Sequence, residues 1–316
     1  MKKQILLIGA SLILSACSAL PGAAGISGCE AAGLVEDVTI DVPLDVGVPL
    51  MPGTHFTKAW KLENTGTCAW TEEFDLVFSD GDRLGSPDEV SLPKEVSPGQ
   101  TVTLAVPLTA PDESGNYSGE WLLRNTQGES FGIGESPLTT DIVVAELPLN
   151  VAYDFLQAHC LAQWNTGLAI FLPCEGETGE RIGWVQTLED PALEDTRNGN
   201  PPVLSVSPDN QDDGFIQGVF PPVTVKEGQS FKARVGCLHD LVGCELVFQL
   251  NYEIVGEPER LTLAEWPESY DGDFTEIDLD VSGLAGETVR FILEVHANGG
   301  RTADAQGYWL NPRIEN

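Results

Sequence analysis

From Val35 onward the chain is cut into short runs in which apolar and polar residues alternate, and the residues between the runs are mostly Gly, Pro, Asn and Ser. A period of two sends one side of each run into a core and the other into solvent. Residues 56–62 alternate and stop at Asn64-Thr65-Gly66. Residues 101–108 follow Ser97-Pro98-Gly99, residues 117–123 follow Ser114-Gly115-Asn116, and residues 142–145 close the region. No amphipathic helix interrupts them. Regular strand spacing with this punctuation predicts an all-β sandwich.

A boundary falls at Glu146-Leu147-Pro148-Leu149-Asn150, and residues 151–162 read as one short helix or turn. Strands are predicted again at 215–220, 231–235, 246–254, 276–281, 288–297 and 307–314. The run 289–295 is strongly β-prone. Residues 175–210 are rich in Gly, Pro, Asp and Asn and predict long loops. The two β regions do not read as repeats of each other.

The start of the chain has a different character. Lys2 and Lys3 precede an apolar run from Ile5 to Leu14, and then comes Leu14-Ser15-Ala16-Cys17. The run is too short to span a bilayer as a mature helix. A charged start, a short apolar stretch and small residues before a cysteine make an export signal, and this one resembles the lipobox of bacterial lipoproteins. The resemblance implies cleavage before Cys17, acylation of its thiol and anchorage to the outer side of a membrane in the cell envelope. Residues 18–28 are small and flexible, a tether between lipid and fold. The expected division is thus a signal peptide over 1–16, lipidated cysteine, tether and disulfide arm over 17–34, a first sandwich over 35–146 and a second over 150–316.

Export bears on the cysteines. Setting Cys17 aside leaves six, an even number that reads as disulfides in an oxidising compartment. Six cysteines allow 15 pairings, which spacing alone does not fix. Locality favours Cys160–Cys174 and Cys237–Cys244, and this leaves Cys29–Cys68. Zinc is disfavoured, since no C-x2-C pair occurs.

The formal charge is -33, spread evenly: 20 Asp/Glu against 5 Lys/Arg over 17–145, and 29 against 9 over 146–316. Nucleic acid is excluded as a partner, because phosphate contact needs clustered Lys and Arg.

The first β region carries a specific series: 52–66 (Pro-Gly-Thr-His-Phe-Thr-Lys-Ala-Trp-Lys-Leu-Glu-Asn-Thr-Gly), then Cys68-Ala69-Trp70, Ser97-Pro98-Gly99, Ala110-Pro111, Gly115-Asn116-Tyr117, Trp121-Leu122-Leu123 and Phe131-Gly132. It resembles the four-tryptophan, immunoglobulin-like domain of the Next-to-BRCA1 autophagy receptor. The fourth tryptophan is absent, its place falling near Leu138. The resemblance implies a protein-binding or spacer module. Trp60 and Trp121 lie on alternating runs and belong in the core. Trp70 follows a turn and is divided between core and a protein-contact surface.

The second region is similar to galactose-binding-like jelly rolls found as carbohydrate-binding modules. The likeness is carried by 231–237, 247–252, 277–282, 289–293 and Trp309-Leu310-Asn311-Pro312-Arg313-Ile314. It implies a glycan ligand and allows a structural calcium ion. Sugar recognition needs exposed rings and polar groups, so the candidate ligand-binding residues are the loop aromatics Trp184, Trp266 and Tyr270, with His239, Asp240 and Asp271. Trp309 is expected in the core. The oxygen-rich 209–214 lacks the acid an EF-hand needs, since Phe220 stands at the twelfth place.

Gly128-Glu129-Ser130-Phe131-Gly132 matches G-x-S-x-G, but that motif needs a strand-to-helix elbow, and here it falls between predicted strands. No H-E-x-x-H, P-loop or G-x-G-x-x-G occurs. The expectation is a non-catalytic, lipid-anchored binding protein for glycan, with a protein-interaction or envelope scaffold as the alternative and a hydrolase through Ser130 as a remote third.

Overall fold

The computed structural model describes residues 29–44, 47–134, 136–196, 199–300 and 302–316. The signal, Cys17 and the tether lie outside the described residues. Two β-sandwiches follow one another. The first has a three-stranded sheet in the order β1 (Ala32–Ile40), β2 (His55–Asn64), β5 (Thr101–Thr109). Facing it is a sheet in the order β4 (Glu89–Ser91), β3 (Asp75–Gly81), β6 (Gly115–Arg124), β7 (Ser130–Phe131), with β8 (Leu138–Val144) also paired to β6. The alternation is realised directly: along β5, Val102, Leu104, Val106 and Leu108 are buried, while Thr103, Ala105 and Pro107 face out. Trp60 and Trp121 meet between the sheets, ring centroids 5.5 Å apart, and the edge of Phe78 packs on Trp121. Leu138, where the fourth tryptophan would stand, is buried too.

The second sandwich comprises β9 (Val151–Asp154), β10 (Gln163–Thr166), β11 (Ile170–Leu172), β12 (Trp184–Leu188), β13 (Val203–Ser207), β14 (Phe215–Val219), β15 (Val223–Thr224), β16 (Ser230–Cys237), β17 (Glu245–Ile254), β18 (Arg260–Ser269), β19 (Thr275–Asp280), β20 (Thr288–Ala297) and β21 (Gly307–Glu315). One sheet runs β11-β10-β14-β20-β17-β18, with β15 on β20; the other runs β12-β13-β21-β16-β19, with β9 on β21. Phe155 centres the core, its ring 4.8 Å from Phe220, 5.6 Å from Phe231 and 6.0 Å from Phe291. Trp164 packs flat over Gly218, its partner on β14; a Cβ there would lie 2.6 Å from the indole.

Two stretches depart from the sequence reading. Residues 151–162 open as strand β9, pinned to the C-terminal strand, and only His159–Leu161 is helical, as one 3-10 turn. Residues 175–210 hold strands β12 and β13. All five residues of β13 are buried, Ser205 and Ser207 included. A strand covered on both faces loses its alternation, and these serines and the flanking Pro201-Pro202 make it look like loop.

Three disulfides join Cys29 to Cys68, Cys160 to Cys174 and Cys237 to Cys244. The sandwiches also touch. The His55 N–H donates to the Pro222 carbonyl at 2.8 Å, and the His55 ring lies between the Thr109 and Thr224 hydroxyls, at 3.0 and 2.9 Å. Burial there lowers the His55 pKa. Asp41 pairs with Arg290 at 2.7 Å, and one buried cluster runs through both sandwiches.

Candidate functional site

The expected ligand residues divide. Trp184 lies on β12 with 2 % of its surface exposed and offers no ring face to a ligand; this corrects its placing as a loop aromatic. Trp266 is a strand residue, half-buried, its ring stacked toward Phe231 and its edge toward Trp309. Trp70 is fully buried 5.8 Å from Phe131, which removes it as a protein contact. Both corrections share a cause: an indole beside a turn still buries a large apolar area when a core lies within reach.

His239, Asp240, Tyr270 and Asp271 do come together. The Tyr270 hydroxyl lies 3.4 Å from His239 Nδ1 and accepts the Asp240 N–H at 3.3 Å, while His239 Nε2 lies 3.1 Å from Asp240 Oδ1. Beside them Glu194 accepts the backbone N–H groups of Cys237, Asp271 and Gly272. Burial raises the Glu194 pKa against those bonds. Burial, and the charges of Glu194, Asp271 and Asp273, push Glu268 up to about 7 against a hydrogen bond from Thr275. This end of the sandwich is a tied-down acidic corner.

For calcium, Asp209 is the group to weigh. It is buried, its Oδ2 accepts the Gly167 N–H at 2.8 Å, and its Oδ1 has no partner. No group of three acidic or metal-ligating side chains converges there among the described residues. One free carboxylate oxygen falls well short of the roughly six to eight oxygens calcium takes. His159, Cys160 and Cys174 do cluster, but the two cysteines are bonded to each other. Ser130 sits on β7 paired with Arg124 in a hairpin, without a strand-to-helix elbow.

The most developed polar surface was not singled out from sequence. It is the outward face of the sheet β10-β14-β20-β17-β18. Leu246, Phe248 and Leu250 on β17, and Phe291, Leu293 and Val295 on β20, point into the core, so the residues between them point out. Register then aligns five of these in one row across five strands: Asn165, Gln217, Glu294, Gln249 and Glu265. The row spans four strand spacings, roughly 19 Å. Glu294 is its hub: Oε2 accepts from Asn251 Nδ2 at 2.8 Å and lies 3.7 Å from Arg260, and Oε1 lies 2.7 Å from His296 Nε2. Arg260 also donates to Gln217 and, at 3.0 Å, to Glu253. Asn251, in the next row, is 2 % exposed, and its Oδ1 has no partner. The Phe215 and His296 rings lie 5.9 Å apart, tilted by 32°, at one end of the face. The signal was legible in principle: within 247–252 alternation places Gln249 and Asn251 on one face, and within 289–295 it turns Glu294 outward.

Such a face suits a ligand rich in hydroxyls. Amides and carboxylates offer donors and acceptors in fixed positions, held by one another before any ligand arrives.

Residues 44–144 match the model of the Ig-like domain from next to BRCA1 gene. The first sandwich is a domain of that type. Protein JOKA2 of Solanum tuberosum is 34% identical over 103 residues, 31% of this chain and 11% of the relative. Protein ILRUN of Danio rerio is 33% identical over 98 residues, 31% of this chain and 33% of the relative. The human Next to BRCA1 gene 1 protein is 33% identical over 96 residues, 29% and 10% respectively. The chain thus spans between a tenth and a third of these relatives' length. Among solved structures, a β-sandwich carbohydrate-binding module is similar at 14% identity and a TM-score of 0.33, over 91% of this chain and 99% of that one. The xylan-binding CBM22-1 domain from Paenibacillus barcinonensis is similar at 11% and 0.32, over 52% of this chain and 90% of that one. At this level the likenesses say nothing of what this chain binds.

Proposed function

We propose that the protein is a non-catalytic binding protein that recognises a glycan through the outward face of the second sandwich. The observation that carries this reading is the row Asn165–Gln217–Glu294–Gln249–Glu265, continuous across five strands and tied together through Glu294. An ordinary solvated sheet face carries isolated charges. Here a carboxylate and an amide are almost fully buried on the outer side, which costs free energy unless partners satisfy them, and they bond to each other through Asn251 Nδ2 and Glu294 Oε2. With a formal charge of -33 the protein repels anionic polymers, so the glycan is neutral or cationic. The sequence of residues 14–17 supports export and anchorage through Cys17, outside the cytoplasm; mass spectrometry of the native protein would find acyl chains on Cys17, and an unmodified thiol would refute it.

Affinity electrophoresis through neutral polysaccharides tests the ligand. The full chain is retarded, Glu294→Ala abolishes the retardation, and the polysaccharide is recovered uncleaved. Equal mobility of the two proteins in a retarding gel would sink the assignment.

A second reading has its own observation. Beyond its one bridge from Ala32 to Ile133, strand β1 pairs along its length with β2 among the described residues, and Leu34, Val35, Val38 and Ile40 on it are exposed. A free edge with exposed apolar side chains can accept a strand from another protein. Cross-linking from position 38 in cells would then give a discrete partner, and a featureless smear would count against it.

A further inference from the structure

The polar face does not end at the border of its own sandwich. Below the row the register runs Gln163, Val219 and the buried Ile292, and Arg290 follows two residues along β20; Gln163, Val219 and Arg290 line a cleft of about 460 Å³ whose opposite wall is residues 39, 41, 42 and 43 of the first sandwich. The Asp41–Arg290 pair closes its floor at 2.7 Å. Over it stands Phe171, on the edge strand β11, with 70 % of its surface exposed.

Phe171 is unusual twice. A large aromatic is left in solvent on a protein that buries six of its seven tryptophans, and its φ is +58°, a left-handed conformation that a bulky side chain adopts only when its surroundings impose it. The surroundings are identifiable. The register slips between Trp164 and Asn165, which makes room for an extra residue on β11. The Phe171 N–H is captured by Asn165 Oδ1 at 3.1 Å, and Asn165 is the first member of the polar row. Three residues on, Cys174 is fixed to Cys160, and both cysteines line the same cleft. A bulge, a side-chain hydrogen bond and a cross-link thus hold one exposed ring at the end of a polar track.

We propose that this cleft is the terminal subsite of the glycan track, built jointly by the two sandwiches: one neutral pyranose ring stacks its apolar face on Phe171, and its hydroxyls meet Gln163 and the Asp41–Arg290 pair while residues 39 and 41–43 of the first sandwich form the far wall. The inference rests on the glycan reading of the polar face. The chemistry fits the class. A pyranose presents C–H groups on one face and hydroxyls around its rim, so it needs one ring platform and a few fixed polar groups in a largely apolar cleft. The internally neutralised Asp41–Arg290 pair favours an uncharged sugar over an acidic one. The first sandwich then acts in recognition itself as well as in spacing.

The test is isothermal titration of the full chain with neutral β-1,4-linked hexaoses of glucose, xylose and mannose. Four proteins are compared: wild type, Phe171→Ala, Phe171→Trp and Thr39→Trp, the last filling the cleft from the first sandwich. Glu294→Ala is the control for the face. The expected result is a loss on the order of tenfold for Phe171→Ala, the size of one ring contact, a similar loss for Thr39→Trp, and near wild-type affinity for Phe171→Trp. Circular dichroism melts confirm that each variant is folded. If Glu294→Ala abolishes binding while Phe171→Ala and Thr39→Trp bind as wild type, the joint subsite is overturned and the face reading stands. If wild type binds none of the hexaoses, both fall together.

Discussion

The two sandwiches bury their cores alike and use their outer surfaces differently. In the first, the outward positions of β5, an edge strand of its sheet, are Thr103, Ala105 and Pro107, small groups with no shared network. In the second, the equivalent positions carry Gln217, Glu294, Gln249 and Asn251, linked to one another and to Arg260. A β-sandwich is specified by the residues that alternate inward, which leaves every second position free for other uses. The first region has put there only a short network, Ser91–Asp75–Arg124–Glu89, beside an exposed edge. The second has built a continuous polar surface with it.

The sharpest way to break this contrast is to ask whether the two regions are energetically separate. Trp121→Ala should cost about 3–5 kcal/mol, because the ring is 1 % exposed and packs on Trp60 and Phe78. Calorimetry should show a single transition at lower temperature, since one buried cluster runs through both sandwiches. Two resolved transitions, with the second region melting as before, would make them independent.

A smaller effect sharpens the comparison through the cross-links. Removing Cys29–Cys68, which spans 39 residues, should cost roughly 3–4 kcal/mol on the chain-entropy model. Removing Cys237–Cys244, which spans 7, should cost roughly 2 kcal/mol by the same model. Denaturant titration of the paired Cys→Ser variants gives both numbers, and the reverse order would contradict an entropic account.

The smallest effect belongs to the acidic corner. Glu268 titrates near 7 in the folded protein, above its unfolded value of 4.5. Between those values the folded state holds the proton and the unfolded state does not, so this group's contribution to stability is full below about 4.5 and lost as the pH rises toward 7. Glu268→Gln should therefore match wild type at acid pH and exceed it at neutral pH by about 1 kcal/mol, allowing for solvent screening of a half-buried group. Equal melting curves at both pH values would show that the corner carries no such strain.

The fold was legible wherever one face of a strand meets water. Strands β2, β5 and β6 alternate visibly and are anticipated from that pattern, whereas β20, buried at five successive residues, is anticipated from its β-prone composition instead. Strand β13, buried on both faces, was invisible for the same reason, and β9 was hidden because four residues cannot establish a period. The candidate site was harder. Aromatics near turns drew attention first, yet Trp70 and Trp184 went into the core. Glu294 and Gln249 lie 45 positions apart and meet only through the register of β17 with β20. Alternation says which way each side chain points but not which strands stand side by side.

The Cys29–Cys68 bond has a mechanical consequence. A pull transmitted along the chain preceding Cys29 enters the domain at that sulfur and crosses directly to Cys68. Everything between, including β1, β2 and the cleft-lining residues 39 and 41–43, lies off the covalent path from one sulfur to the other. The covalent shortcut therefore spares the pairing of β1 with β2 from a pull that arrives at Cys29 and leaves through Cys68.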